Sequence, residues 1–218
     1  MQGYLNPKLA AKIAARNTPG YVRTRLTLRF SLLYFTMFVA GLLLCRVEPL
    51  ATLPAVETRV AALFEHPFAG CTPARDYVRA VLSASRTDLT VLLLIALSGM
   101  TFFSTAASEV LLTAHALPYG VLCGGAMRAV MGGNIAVPHA NLVFFVYFFS
   151  QLALSAVLLT AAAEAVIFSY DYRDACRAQR HQRDTVAVGC FLRTLSMVGT
   201  VLLLHTARAL ILVSLINL

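Results

Sequence analysis

The residues best suited to chemistry are the ionisable and polar side chains that interrupt long apolar segments of this sequence. A charge at the centre of a membrane helix costs about 2.5–3.5 kcal/mol, and such groups often line ion paths or proton relays. Polar side chains in membranes also join helices to one another by hydrogen bonds. The candidates are Glu109, His115, Gln151, Glu164, Arg193, His205 and Arg208.

Glu109 and Glu164 are the acidic candidates, and each lies near one end of its apolar segment. Arg193 begins another apolar segment, at a similar predicted depth. We therefore expect Glu109, Glu164 and Arg193 to form a cluster near one membrane boundary. Two carboxylates there would suit a proton or cation path, or they would only join helices, and we favour the structural role.

Arg208 is the most demanding candidate, because it lies deep within the last apolar segment. It follows His205 by one helical turn, so the two side chains share a helix face. That face must meet the bundle interior or a cavity, unless Arg208 extends to the outer interface. His115 and Gln151 are possible partners at a similar depth.

The composition places these groups in a membrane protein. Of the 218 residues, 59% are hydrophobic and 13% are charged, and the mean hydropathy is +0.74. Soluble domains carry about 25% charged residues. The basic excess, 18 Lys and Arg against 10 Asp and Glu, flanks the apolar segments, which indicates membrane topology rather than nucleic-acid binding.

Motifs of catalysis and metal binding are not found in the sequence. There is no Walker loop, no His-Glu-x-x-His and no Gly-x-Ser-x-Gly, so we predict no enzyme activity and no cofactor. The odd number of cysteines and the lack of a Cys-x-x-Cys predict neither a disulfide framework nor a zinc site. These cysteines are Cys45, Cys71, Cys123, Cys176 and Cys190.

The apolar segments predict an all-α bundle of five transmembrane helices. A basic amphipathic segment at 1–29 precedes them, and a single transmembrane bundle covers 30–218. The predicted spans are about 30–45, 89–104, 108–129, 141–169 and 194–216. An external loop at 46–88 carries two short amphipathic helices, and a basic cytoplasmic loop covers 170–193.

The number of spans depends on the segment from Leu89 to Met127, which contains no Lys or Arg. One helix needs about 20 residues to cross the hydrocarbon core, and this segment is nearly twice as long. A tight turn at Ser104–Ser108 would divide it into a hairpin. The hairpin places the basic amino terminus and the basic 170–193 loop on the same, cytoplasmic side, with the carboxyl terminus outside.

Gly120 and Gly124 form a Gly-x-x-x-Gly pattern that Ala116 extends backward by one turn. Small residues at this spacing allow two helices to approach closely. The contact would lie within the chain or between two copies, and the sequence leaves both open.

The whole layout resembles the stage II sporulation protein M family of bacterial membrane proteins. The matching pieces are "YFTMFVAGLLL", "LLLIALSGM", "ALPYGVLCGGAMRAVMGG" and "NLVFFVYFFSQLALSAVLLTAAAEAVIFSY". The family's Gly-Leu-Pro at the hairpin turn is replaced here by Ser104–Ser108. The resemblance implies a non-enzymatic scaffold that organises partner proteins at the cell envelope, in sporulation or septal cell-wall remodelling.

Two functions therefore follow as expectations. The first is this scaffold in the cell membrane. Its candidate partners are the lipid bilayer, other envelope proteins and a second copy of the chain, with no nucleic acid. The alternative is a small transporter, or a membrane subunit of one, that uses the intramembrane Glu, His and Arg groups.

Overall fold

The structure, a computed structural model, describes residues 19–47, 54–64, 74–132, 139–178 and 180–216. Within these ranges every regular element is an α-helix, which confirms the predicted all-α class. Of the basic amphipathic segment predicted at 1–29, residues 1–18 lie outside the described ranges, and residues 19–29 are the beginning of the first long helix. The helices are α1 (Pro19–Leu44), α2 (Pro54–Phe64), α3 (Ala74–Ser98), α4 (Ser104–Met131), α5 (Ala140–Ala178) and α6 (Arg180–Ile216).

Five of these helices, all except α2, are long and apolar enough to span a membrane. This agrees with the predicted number of spans. Helix α2 has 11 residues, about half the length that a crossing requires. It packs Val60 and Phe64 against one end of the bundle and leaves Glu57, Thr58 and Arg59 exposed.

The predicted position of the hairpin turn is wrong. Helix α3 ends at Ser98, residues 99–103 form the turn, and Ser104 already begins α4. Ser104 and Ser108 are buried on the inner face of α4. The turn is held from α5, because Arg173 Nη2 donates to the Phe102 carbonyl at 3.1 Å and Ser169 Oγ donates to the Thr101 carbonyl at 3.0 Å.

The external loop was predicted to continue to residue 88, which is also wrong. The second of its two amphipathic helices is the beginning of α3, a continuous helix of 25 residues. No Gly or Pro interrupts this sequence, and its buried residues recur at helical spacing. They are Val81, Ser85, Asp88, Leu92, Ile95 and Ser98, so Asp88 lies inside the bundle and not in a loop.

The predicted cytoplasmic loop at 170–193 is largely helical. Helix α5 continues to Ala178 and α6 begins at Arg180. The polar segment "YDYRDACRAQRHQRDT" contains no Gly or Pro, and its residues are acceptable in a helix interior. Its polarity marks the end of the apolar segment and not the end of the helix.

Helices α1 and α4 run parallel and touch through their backbones. A Cβ atom added at Gly120 would collide with the carbonyl oxygen of Phe38, and one added at Gly41 with that of Leu117. Gly124 lies against Cys45 and Leu42 in the next turn, and Ala116 is fully buried in the turn before. The small-residue pattern of α4 therefore serves a contact within the chain.

The amino-terminal ends of α1, α4 and α6, the turn at 99–103 and the carboxyl-terminal part of α5 lie at one end of the bundle, here called the arginine end. Ion pairs and hydrogen bonds connect these elements there. The arginines that make these contacts are Arg23, Arg29, Arg173 and Arg193. Helix α2 packs at the opposite end.

Candidate functional site

Asp88 lies near the middle of α3 with a side chain that is 1% exposed, and both of its oxygens accept hydrogen bonds. Oδ1 is 2.7 Å from Nε2 of His115 on α4, and Oδ2 is 2.8 Å from Nε2 of His205 on α6. A buried carboxylate needs such partners, because an unpaired charge in a low dielectric is very unfavourable. Three helices thus meet at one acidic group.

The bond between Arg208 and His205 determines which nitrogen of His205 carries the proton. Arg208 Nη2 lies 2.8 Å from His205 Nδ1, and a guanidinium group donates but never accepts. Nδ1 of His205 must therefore be the unprotonated acceptor, so its Nε2 carries the hydrogen that is donated to Asp88. The ring is neutral and connects the cation of Arg208 to the anion of Asp88.

His115 can take either of two protonation states with all its contacts kept. Its Nδ1 is 3.0 Å from the Tyr34 hydroxyl. Ser155 Oγ is 2.9 Å from that hydroxyl and 2.8 Å from the backbone carbonyl oxygen of Gln151. If Ser155 donates to Tyr34, Tyr34 donates to a neutral His115. If Ser155 donates to Gln151, Tyr34 donates to Ser155 and accepts from a doubly protonated His115. Binding of one proton by His115 therefore reverses the direction of the hydrogen bonds that connect His115, Tyr34 and Ser155.

Two tyrosines extend this cluster toward the α2 end of the bundle. The guanidinium carbon of Arg208 is 5.3 Å from the centre of the Tyr147 ring, a cation–π distance. Tyr147 stacks on Tyr119 at 6.3 Å, and Tyr119 lies 4.7 Å from the His115 ring. Arg208 therefore faces the bundle interior, which answers the question that the sequence left open.

Two side chains of the cluster keep hydrogen-bonding capacity. Both amide atoms of Gln151 and the Nη1 atom of Arg208 are buried without a hydrogen-bond partner among the described residues. Buried polar atoms of this kind are the usual contacts of internal water. These atoms are the donors and acceptors in the cluster that an internal water would satisfy.

A layer of fully buried apolar side chains separates the cluster from the arginine end. Each of the five membrane-length helices contributes one apolar residue to this layer. All five residues are 0% exposed and belong to one continuous core. We call this set the apolar layer. It consists of Phe30, Leu92, Leu112, Leu158 and Val201. On each helix the layer residue lies one turn closer to the arginine end than a polar residue of the cluster. In the same helix order, those polar residues are Tyr34, Asp88, His115, Ser155 and His205.

The carboxylates singled out in the sequence lie beyond this layer, near the arginine end, and do not join the cluster. Glu164 contacts Arg23 and lies 2.6 Å from Arg193 Nη1, whereas Glu109 pairs with Arg29 at 2.5 Å. The expected three-residue cluster is therefore wrong for Glu109 and right for the pair of Glu164 and Arg193. All three arginines are more than half exposed, so each pair adds only about 0–1 kcal/mol.

Sequence reasoning placed His115, Gln151, His205 and Arg208 together and missed the group at their centre. Asp88 was the last residue of the predicted external loop at 46–88 and was not a candidate. Its spacing from Val81 and Leu92 is that of a buried helix face, and this signal would have found it. Within the described ranges, no group of three His, Cys, Asp or Glu side chains is arranged to hold a metal ion.

The comparisons with known proteins add no family. No family model matches the chain, and neither a curated protein nor a solved structure is significantly similar to it. The resemblance to the stage II sporulation protein M family therefore stays a prediction, and the argument for function comes from the geometry of the cluster.

Proposed function

We propose that this chain is a multi-pass membrane protein that takes up and releases a proton at the Asp88–His115–His205 cluster and uses that proton in transport. The observation that supports this is the position of Asp88. It lies inside a bundle of membrane-length helices and has one hydrogen bond to each of two histidines. Ionisable groups inside membrane helices are found chiefly on ion paths and in proton relays.

The proton would be held at His115. In the resting arrangement, Asp88 carries one negative charge and Arg208 one positive charge, and both rings are neutral. A proton that binds Nδ1 of His115 turns the Tyr34 hydroxyl toward Ser155, and the Ser155 hydroxyl toward the Gln151 carbonyl. No other covalent bond changes. Histidine is the side chain that most often accepts and donates protons in proteins.

The apolar layer supports transport rather than an open pore. A transporter must close its central site toward at least one side of the membrane at a time. The five side chains of the layer are fully buried and close the cluster toward the arginine end. The tyrosines and Arg208 continue it in the other direction.

We expect Asp88→Asn to abolish proton uptake by vesicles that contain the purified protein. The vesicles hold a pH-sensitive dye and equal KCl on both sides, with valinomycin present so that no voltage develops. After an acid pulse, wild-type vesicles should acidify faster than empty ones, and Asp88→Asn vesicles should match empty ones.

Glu109→Gln is the matched control, because it also neutralises a carboxylate in a membrane-length helix but at the surface pair with Arg29. It should keep wild-type flux. His115→Gln provides a second variant if Asp88→Asn does not fold. Equal flux in all folded variants would reject the proposal and return the question to the scaffold.

The scaffold is the second candidate, and α2 is the observation in its favour. This short helix presents Glu57, Thr58 and Arg59 outward at the end of the bundle. A polar helix face at that position would suit a partner protein of the envelope. A scaffold needs no group that binds and releases protons. Proton flux that depends on Asp88 would therefore favour transport, and its absence would favour the scaffold.

We also propose that the protein lies in the cell membrane with the arginine end in the cytoplasm. The concentration of arginines there supports this through the positive-inside rule. A membrane-impermeant maleimide added to intact cells should label a cysteine at exposed Arg46 (Arg46→Cys), at the opposite end. It should label exposed Cys176 only after the cells are opened. The reverse pattern would invert the orientation.

A further inference from the structure

A cavity of about 210 Å³ lies between α3, α5 and α6 on the arginine side of the apolar layer. Its outer part is polar, with Glu164, Asp171 and Arg193, and its inner part is apolar, with Ala161 and Leu92. A water molecule occupies about 30 Å³ in the liquid. The cavity therefore has room for several waters.

Leu92 of α3 lies between the inner end of this cavity and Asp88 on the same helix. Leu92 lines the cavity and follows Asp88 by one helical turn, about 6 Å along the axis. It also belongs to the apolar layer and is fully buried. On α6, Met197 lines the cavity one turn before Val201, and Val201 lies one turn before His205.

We propose that this cavity is the aqueous vestibule through which protons pass between the Asp88–His115–His205 cluster and the arginine end, and that Leu92 is the barrier at its inner end. This inference rests on the proposed function and names its route. The ligands of the vestibule are water and hydronium. Its mouth carries no large excess of charge, because Glu164 and Asp171 face Arg193 and the neighbouring Arg23.

Passage requires Leu92 and its neighbours in the layer to separate, so that water in the vestibule reaches the cluster. The titratable and charged groups that then share that water come from every helix packed around Asp88. They are Tyr34 of α1, His115 and Tyr119 of α4, Tyr147 of α5, and His205 and Arg208 of α6.

Cys190 offers a direct test, because it is a native thiol in the vestibule wall. Vesicles that contain the wild-type protein are treated with methyl methanethiosulfonate, and mass spectrometry measures modification at Cys190. The added group narrows the vestibule, so dye-detected proton flux should fall toward that of empty vesicles. Cys190→Ser, in which the exposed Cys176 remains, should keep its flux after the same treatment.

The barrier is tested by Leu92→Ala, which shortens the side chain between the vestibule and Asp88. Proton flux should rise several-fold, and the added flux should still be lost in the double variant with Asp88→Asn. Leu154→Ala is the matched control, since Leu154 is as deeply buried but lies outside the layer and the vestibule. It should leave the flux unchanged.

The two proposals fail in different ways. Flux could depend on Asp88 and yet stay unchanged both after full modification of Cys190 and in Leu92→Ala. In that case the proton takes another route, and only the vestibule proposal is rejected. If flux does not depend on Asp88, the proposed function is rejected first.

Discussion

Replacement of Gly120 by valine is expected to prevent the bundle from folding. A Cβ atom at this position would overlap the Phe38 carbonyl oxygen of α1. A flexible side chain can move away from such an overlap, but a backbone carbonyl within a helix cannot. Overpacking of a core costs about 1–3 kcal/mol, and we expect at least the upper end here, because α1 would have to leave α4.

Gly199→Val is the matched control. Gly199 is also a glycine inside a membrane-length helix, but nothing lies within 4 Å of the position that its Cβ would occupy. Both variants are expressed, extracted in mild detergent and compared by size-exclusion profile and melting temperature. Gly199→Val should resemble the wild type, whereas Gly120→Val should aggregate. Similar behaviour of the two would show that the contact of α1 with α4 is not as close as the structure has it.

The glycine contact also shows what the sequence could and could not predict about the fold. The spacing of Gly120 and Gly124 predicted a close helix contact, but Gly41, which faces Gly120, belongs to no such pattern. Hydropathy and charge gave the number of long helices. They misplaced the helix ends, because the polarity of 170–185 marks the end of an apolar segment, whereas α5 continues into that segment as far as Ala178.

The candidate site was predictable residue by residue but not as a cluster. A histidine or an arginine within an apolar segment is visible in the sequence, and so His115, His205 and Arg208 were found. The bonds of Asp88 join residues that are 27 and 117 positions apart. They depend on the rotation of each helix about its axis, which the sequence of one helix does not fix.

Arg208→Met should strongly destabilise the protein. It removes the cation that His205 links to Asp88, and removing one partner from a buried charged network costs about 3–5 kcal/mol. The free energy of unfolding is measured by SDS titration in mixed micelles. Arg193→Met is the control for the same replacement at an arginine that is 62% exposed, where about 0–1 kcal/mol is expected.

The double variant Asp88→Asn with Arg208→Met separates the charge pair from the rest of the cluster. Once both charges are gone, neither is left unbalanced, so the double variant should be more stable than the sum of the single losses predicts. The coupling between residues of one network is typically about 0.5–3 kcal/mol. A coupling near zero would mean that Arg208 balances some charge other than Asp88.

The same double variant also tests why the cluster exists. Apolar replacements of buried ion pairs often keep or raise stability, so stability alone does not require Asp88, His205 and Arg208 to meet inside a membrane bundle. If the double variant folds with near wild-type stability and has lost proton flux, function requires these charges. If it keeps the flux, the network joins helices, and the proton must use a group elsewhere in the chain.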